Sequence, residues 1–286
     1  EPIVDGDRLD DRSSASRREQ PSDRTEVRRP VLFTDRFVHF DRDDVVERAL
    51  DIPVIPILET GVVREARALG LQVGVQSNAI ALARPVYLAK LRAAGLQSLA
   101  ASLHSWDPAV SDAVTRAPGT HVQTLAGIRA AVAAGLRLAL NVVVERRTLP
   151  GLVALADHIA AEFPHAVVSF SWPNVFHDQY QWQQHAASLA EIRTPLTAAV
   201  VRLAAAGVAV APLGPCGFPA CALDGAVAGL ALPLVEHFAA QDRADRVYAE
   251  TCDGCGLQAH CPGLRTTYLA LHGPADLRPF ASAVER

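Results

Sequence analysis

Four times along this chain a helix-like stretch closes on a glycine and runs at once into an apolar segment. Val63–Leu69 stops at Gly70 before Leu71–Gln76, Ala94-Gly95-Leu96 precedes Leu99–Leu103, Ala134-Gly135-Leu136 precedes Leu138–Val144, and Ala206-Gly207-Val208 leads into Val208–Ala211. Glycine just past a helix takes the left-handed backbone that closes the last turn, and the apolar run after it reads as a buried strand. The segments between carry helical stripes. Val122, Leu125, Ile128 and Val132 are spaced to share one face, as are Leu152, Leu155, Ile159 and Phe163, with a further strand expected over Ala166–Phe170. Helix–glycine–strand units in series imply right-handed crossovers and a mainly parallel sheet, while their irregular spacing excludes a short-period solenoid. The expected fold is α/β, an open or partial TIM-like βα barrel.

The rest of the chain bounds that barrel. Residues 1–30 are dense in Arg, Asp, Glu and Ser without an apolar period, a composition that cannot offset its own ordering entropy, and disorder is expected there. Val31-Leu32-Phe33 and Phe37–Phe40 could be strands, and Pro53 and Pro56 forbid a continuous helix through residues 31–58. A net charge of -4 argues against a broad nucleic-acid-binding face. No apolar run reaches bilayer length and the first residues lack a secretory pattern, so the expected location is the cytoplasm. There is no Met, so a fragment or a processed product is expected.

In βα folds chemistry gathers where strands end. The segments leaving these strands are Gln76-Ser77-Asn78, Ser102-Leu103-His104-Ser105 and Ser171-Trp172-Pro173-Asn174. Each could be a turn or a helix cap; together they have the character of a ligand rim. Asn141, polar within an apolar strand, is expected to face a polar barrel interior. Trp172, Phe176, Tyr180 and Trp182 could wall a substrate or pack under a loop, and His104 could touch a ligand or be a hydrogen-bonded interior histidine.

All five cysteines, Cys216, Cys221, Cys252, Cys255 and Cys261, lie in the last quarter of the chain. An odd, clustered set in a reducing compartment is a ligand set rather than a disulfide framework. Cys252-Asp253-Gly254-Cys255 followed by Cys261-Pro262-Gly263 is C-x2-C-x5-C-P, with Cys216 or Cys221 as the fourth donor. Four thiolates suit a [4Fe–4S] cluster or a structural zinc, and His260 could replace one of them.

From Thr60 onward the chain resembles the later two-thirds of a radical SAM iron–sulfur protein. The resemblance rests on Ala66–Asn78, Ser102-Leu103-His104, Ser111–Thr120 and Leu140–Val144. It extends to a tail from Cys252 through Pro279 similar to members that end in an auxiliary cluster. It implies a partial (β/α)6 barrel with a C-terminal Cys-rich extension, binding S-adenosylmethionine across its mouth through Ser102, Arg116 and Asn141, with Asn78 lining the same mouth. Arg116 would suit the carboxylate, since a guanidinium offers paired donors in a plane. The family cleaves S-adenosylmethionine reductively at a cluster held by C-x3-C-x2-C.

That triad is missing here: no cysteine precedes Cys216, and residues 53–60 stand where the family has Gly-Gly-Glu-Pro. The expectation is a truncated or inactive copy that keeps the auxiliary site. The alternative is a non-enzymatic barrel, with structural zinc or iron–sulfur, that binds a peptide or small ligand. The expected organisation is an atypical segment over 1–58, a barrel part over 59–212 and a cysteine region over 213–286.

Overall fold

The computed structural model describes residues 56–173, 182–211, 218–225 and 245–281, and of residues 56–59, Trp182 and His260 only the backbone. The expectations for residues 1–55, Asn174, Phe176, Tyr180 and Cys216 lie outside the described residues, as do those for the side chains of Trp182 and His260. Five strands, β1 (Gly74–Ser77), β2 (Ser98–Ser102), β3 (Arg137–Val143), β4 (Val167–Ser171) and β5 (Ala209–Val210), form one parallel sheet in sequence order. Among the described residues eight α-helices accompany them: α1 (Pro56–Ala68), α2 (Pro85–Ala94), α3 (Pro108–Thr115), α4 (Thr120–Ala133), α5 (Leu152–Glu162), α6 (Trp182–His185), α7 (Leu189–Ala205) and α8 (Thr266–His272). An antiparallel pair, β6 (Arg246–Val247) and β7 (Leu264–Arg265), precedes α8.

Strictly sequential strand order is what separates a barrel wall from a doubly wound sheet. When every right-handed crossover steps in one direction, every helix lands on one face. Burial along the strands agrees. In β3, Leu138, Leu140 and Val142 are buried, whereas Ala139, Asn141 and Val143 are half-buried, and β2 and β4 alternate in the same way. The buried face packs on Leu91, Ile128, Leu155, Ile159 and Leu203 of the helices in one continuous core. At the sheet edge, no strand among the described residues pairs with the outer side of β1.

The glycine punctuation is where the sequence places it. Gly70, Gly95, Gly135 and Gly207 have φ of 77°, 106°, 77° and 74°. At Gly95 the amide bonds back to Arg92 O and Leu91 O and closes α2. A side chain at such a φ would be strained. The α5 stripe is also as expected, with Leu152, Leu155, Ile159 and Phe163 all buried. The α4 stripe is not. Val122 is 65% exposed and Val132 39%, because the buried face is built by His121, Thr124, Leu125, Gly127, Ile128 and Ala131. Small and polar residues turn the helix away from the face that aliphatic residues alone define. Pro56 begins α1, where its fixed φ suits the first turn. That helix runs across the expected 58/59 boundary.

Candidate functional site

The half-open face of the sheet is lined by small and polar side chains. Register aligns Ser102 with Asn141, and Asn141 with Ser169, so the three form a row across β2, β3 and β4. Gln76, Ala100 and Ala139 align two positions earlier. Asn141 Oδ1 accepts from Ser169 Oγ at 3.1 Å and from Ser171 Oγ at 2.6 Å. Asn141 therefore does face the barrel side of the sheet, with its carbonyl oxygen held by two serines.

Asn78 lies one residue past β1, exposed, with Oδ1 accepting from Ile80 N at 3.2 Å as in an Asx turn. Arg116 is exposed and closes α3 in left-handed backbone, φ 56°. Asp112 folds the chain around it, accepting from Gly119 N (2.5 Å) and His121 N (2.9 Å). Desolvation opposes the charge on Asp112, but those two amides and Thr120 outweigh it and hold its carboxyl below the usual range. Arg147 Nη1, beyond β3, donates to Ala113 O at 2.9 Å and ties α3 to the exit of that strand. Register thus joins Ser102 and Asn141 directly, while Asn78 and Arg116 stand on the segments that follow β1 and β2.

Two strand-end side chains prove structural. His104 is buried, and its Nδ1 accepts from Val143 N at 3.2 Å. Burial, partly countered by nearby Glu145, pushes its pKa down to about 4, so the imidazole is neutral at pH 7. Trp172 is buried, donates from Nε1 to Ala187 O (3.2 Å) and packs edge-on against Tyr268 with ring centroids 5.5 Å apart.

The cysteine region meets the barrel on this same side. In a βα unit the helix N-terminus lies where the strands end. Here Leu189 N, at the start of α7, donates to Tyr268 Oη of α8 (2.9 Å), and Ala190 N donates to Asp276 Oδ2 (3.3 Å). One turn further on, the buried guanidinium of Arg193 donates from Nε and Nη2 to Cys221 O (3.2 Å each) and from Nη2 to Asp276 O (2.7 Å).

Beyond that junction, Cys221, Cys252, Cys255 and Cys261 line one cavity of ≈ 370 Å³, open to solvent, with Pro219, Ala220, Leu264, Leu277 and Pro279 among its walls. All four are free thiols. Backbone amides point at the sulfurs. Ala220 N (3.3 Å) and Gly263 N (3.4 Å) donate to Cys261 Sγ, and Phe280 N donates to Cys255 Sγ at 3.4 Å. Gly263 has φ 83°, and a Cβ there would lie 2.8 Å from Val247 O, so the turn that aims its amide admits only glycine. Tyr248 Oη donates to Cys261 O at 2.7 Å. Burial pushes the Cys221 thiol up to about 11, and it also raises Cys261 and Cys252. Neighbouring thiols add to the rise in all three, an electrostatic sign of their mutual proximity.

Among the described residues, no group of three or more His, Cys, Asp or Glu is spaced to hold a metal ion as it stands. The thiols share a cavity without forming a closed ligand polyhedron. Their chemistry nevertheless fits a thiophilic centre: four sulfur donors, apolar walls and N–H groups directed at sulfur. Sequence reasoning missed Arg193, Tyr268 and Asp276, which seat this region. A charged residue inside the apolar stripe Leu189, Ile192, Leu196, Ala199, Val200 and Leu203 was the available signal for Arg193.

No protein-family model and no curated protein matches the chain. Among solved structures, a domain of pyruvate-formate lyase-activating enzyme from Bacteroides vulgatus aligns at 14% identity and a TM-score of 0.43, covering 60% of this chain and 94% of that one. HydG, a maturase of the [FeFe]-hydrogenase, aligns at 14% identity and a TM-score of 0.40, covering 53% of this chain and 36% of that one. No helix among the described residues is long and apolar enough to cross a membrane.

Proposed function

We propose that this chain is a radical-SAM-type iron–sulfur protein whose working centre is the sulfur cavity, and that it does not itself cleave S-adenosylmethionine. The observation that carries the reading is the gathering of Cys221, Cys252, Cys255 and Cys261 around one cavity with backbone amides aimed at two of the sulfurs. Cys221, Cys252, Cys255 and Cys261 would hold a [4Fe–4S] cluster, or zinc in its place. Such a cluster supplies one-electron chemistry or structural cross-linking when bound. The chain's own residues provide the sulfur donors, keep the walls apolar and stabilise thiolate sulfur through N–H donors. Free thiols of this kind suit a reducing compartment, and the cytoplasm is the location we propose.

The half-open face is the proposed ligand face. Ser102 and Asn141, with Asn78 and Arg116 at its rim, would take S-adenosylmethionine or a related small molecule or peptide. The 286 residues of this chain contain no C-x3-C-x2-C, the motif by which the family holds the iron for reductive cleavage. The alternative is a non-enzymatic ligand-binding barrel that uses the same face, in which the carbonyl oxygens of Asn78 and Asn141 are engaged by Ile80 N and by Ser169 and Ser171.

Anaerobic reconstitution with ferrous iron and sulfide tests the reading. About four irons and four sulfides per chain are expected, lost on Cys255→Ser and on Cys221→Ser but retained on Cys216→Ser. One zinc without sulfide would replace the cluster by the structural site, and uptake of neither would end the proposal. Formation of 5′-deoxyadenosine from S-adenosylmethionine under strong reductant would overturn the claim that this chain lacks the cleavage chemistry.

A further inference from the structure

Arg193 is the only charged residue in the buried stripe of α7, with 3% of its surface exposed. Its hydrogen-bond acceptors are two backbone carbonyls, those of Cys221 and Asp276. Among the described residues no carboxylate forms an ion pair with it. Carbonyl dipoles satisfy the N–H groups of a guanidinium withdrawn from water without cancelling its charge, and the Asp276 carboxylate at this junction is engaged by Ala190 N. The two carbonyls belong to the two segments that close the sulfur cavity. One carries Cys221 itself, and the other leads into the wall residues Leu277 and Pro279.

We infer that Arg193 is the positioning residue of the sulfur site. Its fork fixes Cys221 as the fourth donor, and its buried charge balances the negative charge of a thiolate-ligated metal centre. The inference rests on the metal-site reading above and goes beyond it in naming the group that sets the donor and the charge. A purely structural staple needs donors only. A charge-balancing one needs a cation, and these two requirements separate on substitution. Arg193→Lys keeps the charge but loses the planar fork, Arg193→Gln keeps a donor but loses the charge, and Arg193→Met loses both.

The test uses the full chain, with zinc measured in competition with a chromophoric chelator. A second arm loads ferrous iron and sulfide anaerobically and follows the visible spectrum and a potentiometric titration. Arg193→Met is expected to weaken zinc binding about 10- to 100-fold, the usual effect of removing a group that orients a metal ligand. Its iron–sulfur form is expected to titrate at a more negative midpoint potential, since an added electron then enters a site one positive charge poorer. Arg193→Lys should return the potential toward that of the parent, and Arg193→Gln should not. Should Arg193→Met fail to fold by circular dichroism, the Lys and Gln variants decide alone: equal affinities and equal potentials overturn the inference. A parent chain that loads metal, with an Arg193→Met variant that matches it in affinity and potential, overturns the role of Arg193 and leaves the metal site standing. A parent chain that binds neither zinc nor iron and sulfide overturns both.

Discussion

His104 gives the chain a built-in sensitivity to mild acid. Its ring is buried at the exit of β2 and accepts a hydrogen bond from Val143 N, so the folded protein holds it neutral, with a pKa near 4 against 6.5 when free in solution. Between those values the unfolded chain binds a proton that the folded chain refuses. Stability is therefore fully present above pH 6.5, falls as the pH drops toward 4, and loses nothing further to this group below that. At about 1.4 kcal/mol per pH unit the total loss is about 3 kcal/mol, a large share of an ordinary domain's stability. The substitution to make is His104→Asn, whose carbonyl oxygen can accept from Val143 N but does not titrate. Urea unfolding midpoints at pH 7.0, 6.0 and 5.0 should fall steeply for the parent and far less for the variant. The smaller side chain also lowers the variant's stability at every pH, so the slope and not the intercept carries the argument. Parallel slopes for the two proteins would refute the assignment of His104 as the acid-sensitive group.

Two further outcomes follow from close geometry. Gly127 in α4 lies so near the Ala79 carbonyl that an added Cβ would sit 1.9 Å from its oxygen. Gly127→Ala should destabilise by about 1–3 kcal/mol or more, measured as a shift in the thermal midpoint, because backbone rather than a yielding side chain must move. Ser188 and Glu191 form a reciprocal capping box at the start of α7, the end that receives the cysteine region. Ser188→Ala should cost about 1 kcal/mol, read from the same unfolding curves.

The glycine that ends four helices and the apolar run after each of those glycines are enough to read a mainly parallel sheet, because backbone conformation and burial both act locally. The α4 face was not readable from its aliphatic residues. His121, Thr124 and Ala131 are buried there by neighbours distant in sequence, and Val122 is left in solvent. For the site, spacing alone brought Cys252, Cys255 and Cys261 together, since one loop encodes them. The Cys221 carbonyl is held by Arg193, 28 residues away in the chain, and no local pattern carries such information. His104 and Trp172 each had two readings in the sequence. What decides between them is burial, a property of the assembled core: the imidazole points at a strand amide and the indole lies beneath the loop that leads into α7.

Sulfur site and barrel share one seam, so they should not behave as independent units. Tyr268 of α8 accepts from Leu189 N at the head of α7 and packs on Trp172 just beyond β4, joining the helix after the last cysteine to both a strand end and a helix start. Removing only its hydroxyl, Tyr268→Phe, leaves a buried amide without its acceptor, a loss of about 1–3 kcal/mol. Any ligand that binds only the folded sulfur site must stabilise whatever unfolds together with it. Loading the site should therefore raise the unfolding midpoint reported by the buried Trp172. In Tyr268→Phe that increase should shrink, because the seam transmits less of it. A metal-dependent increase that is unchanged in the variant would mean the coupling runs elsewhere, through Arg193 to Cys221 or through Thr197 to Asp224.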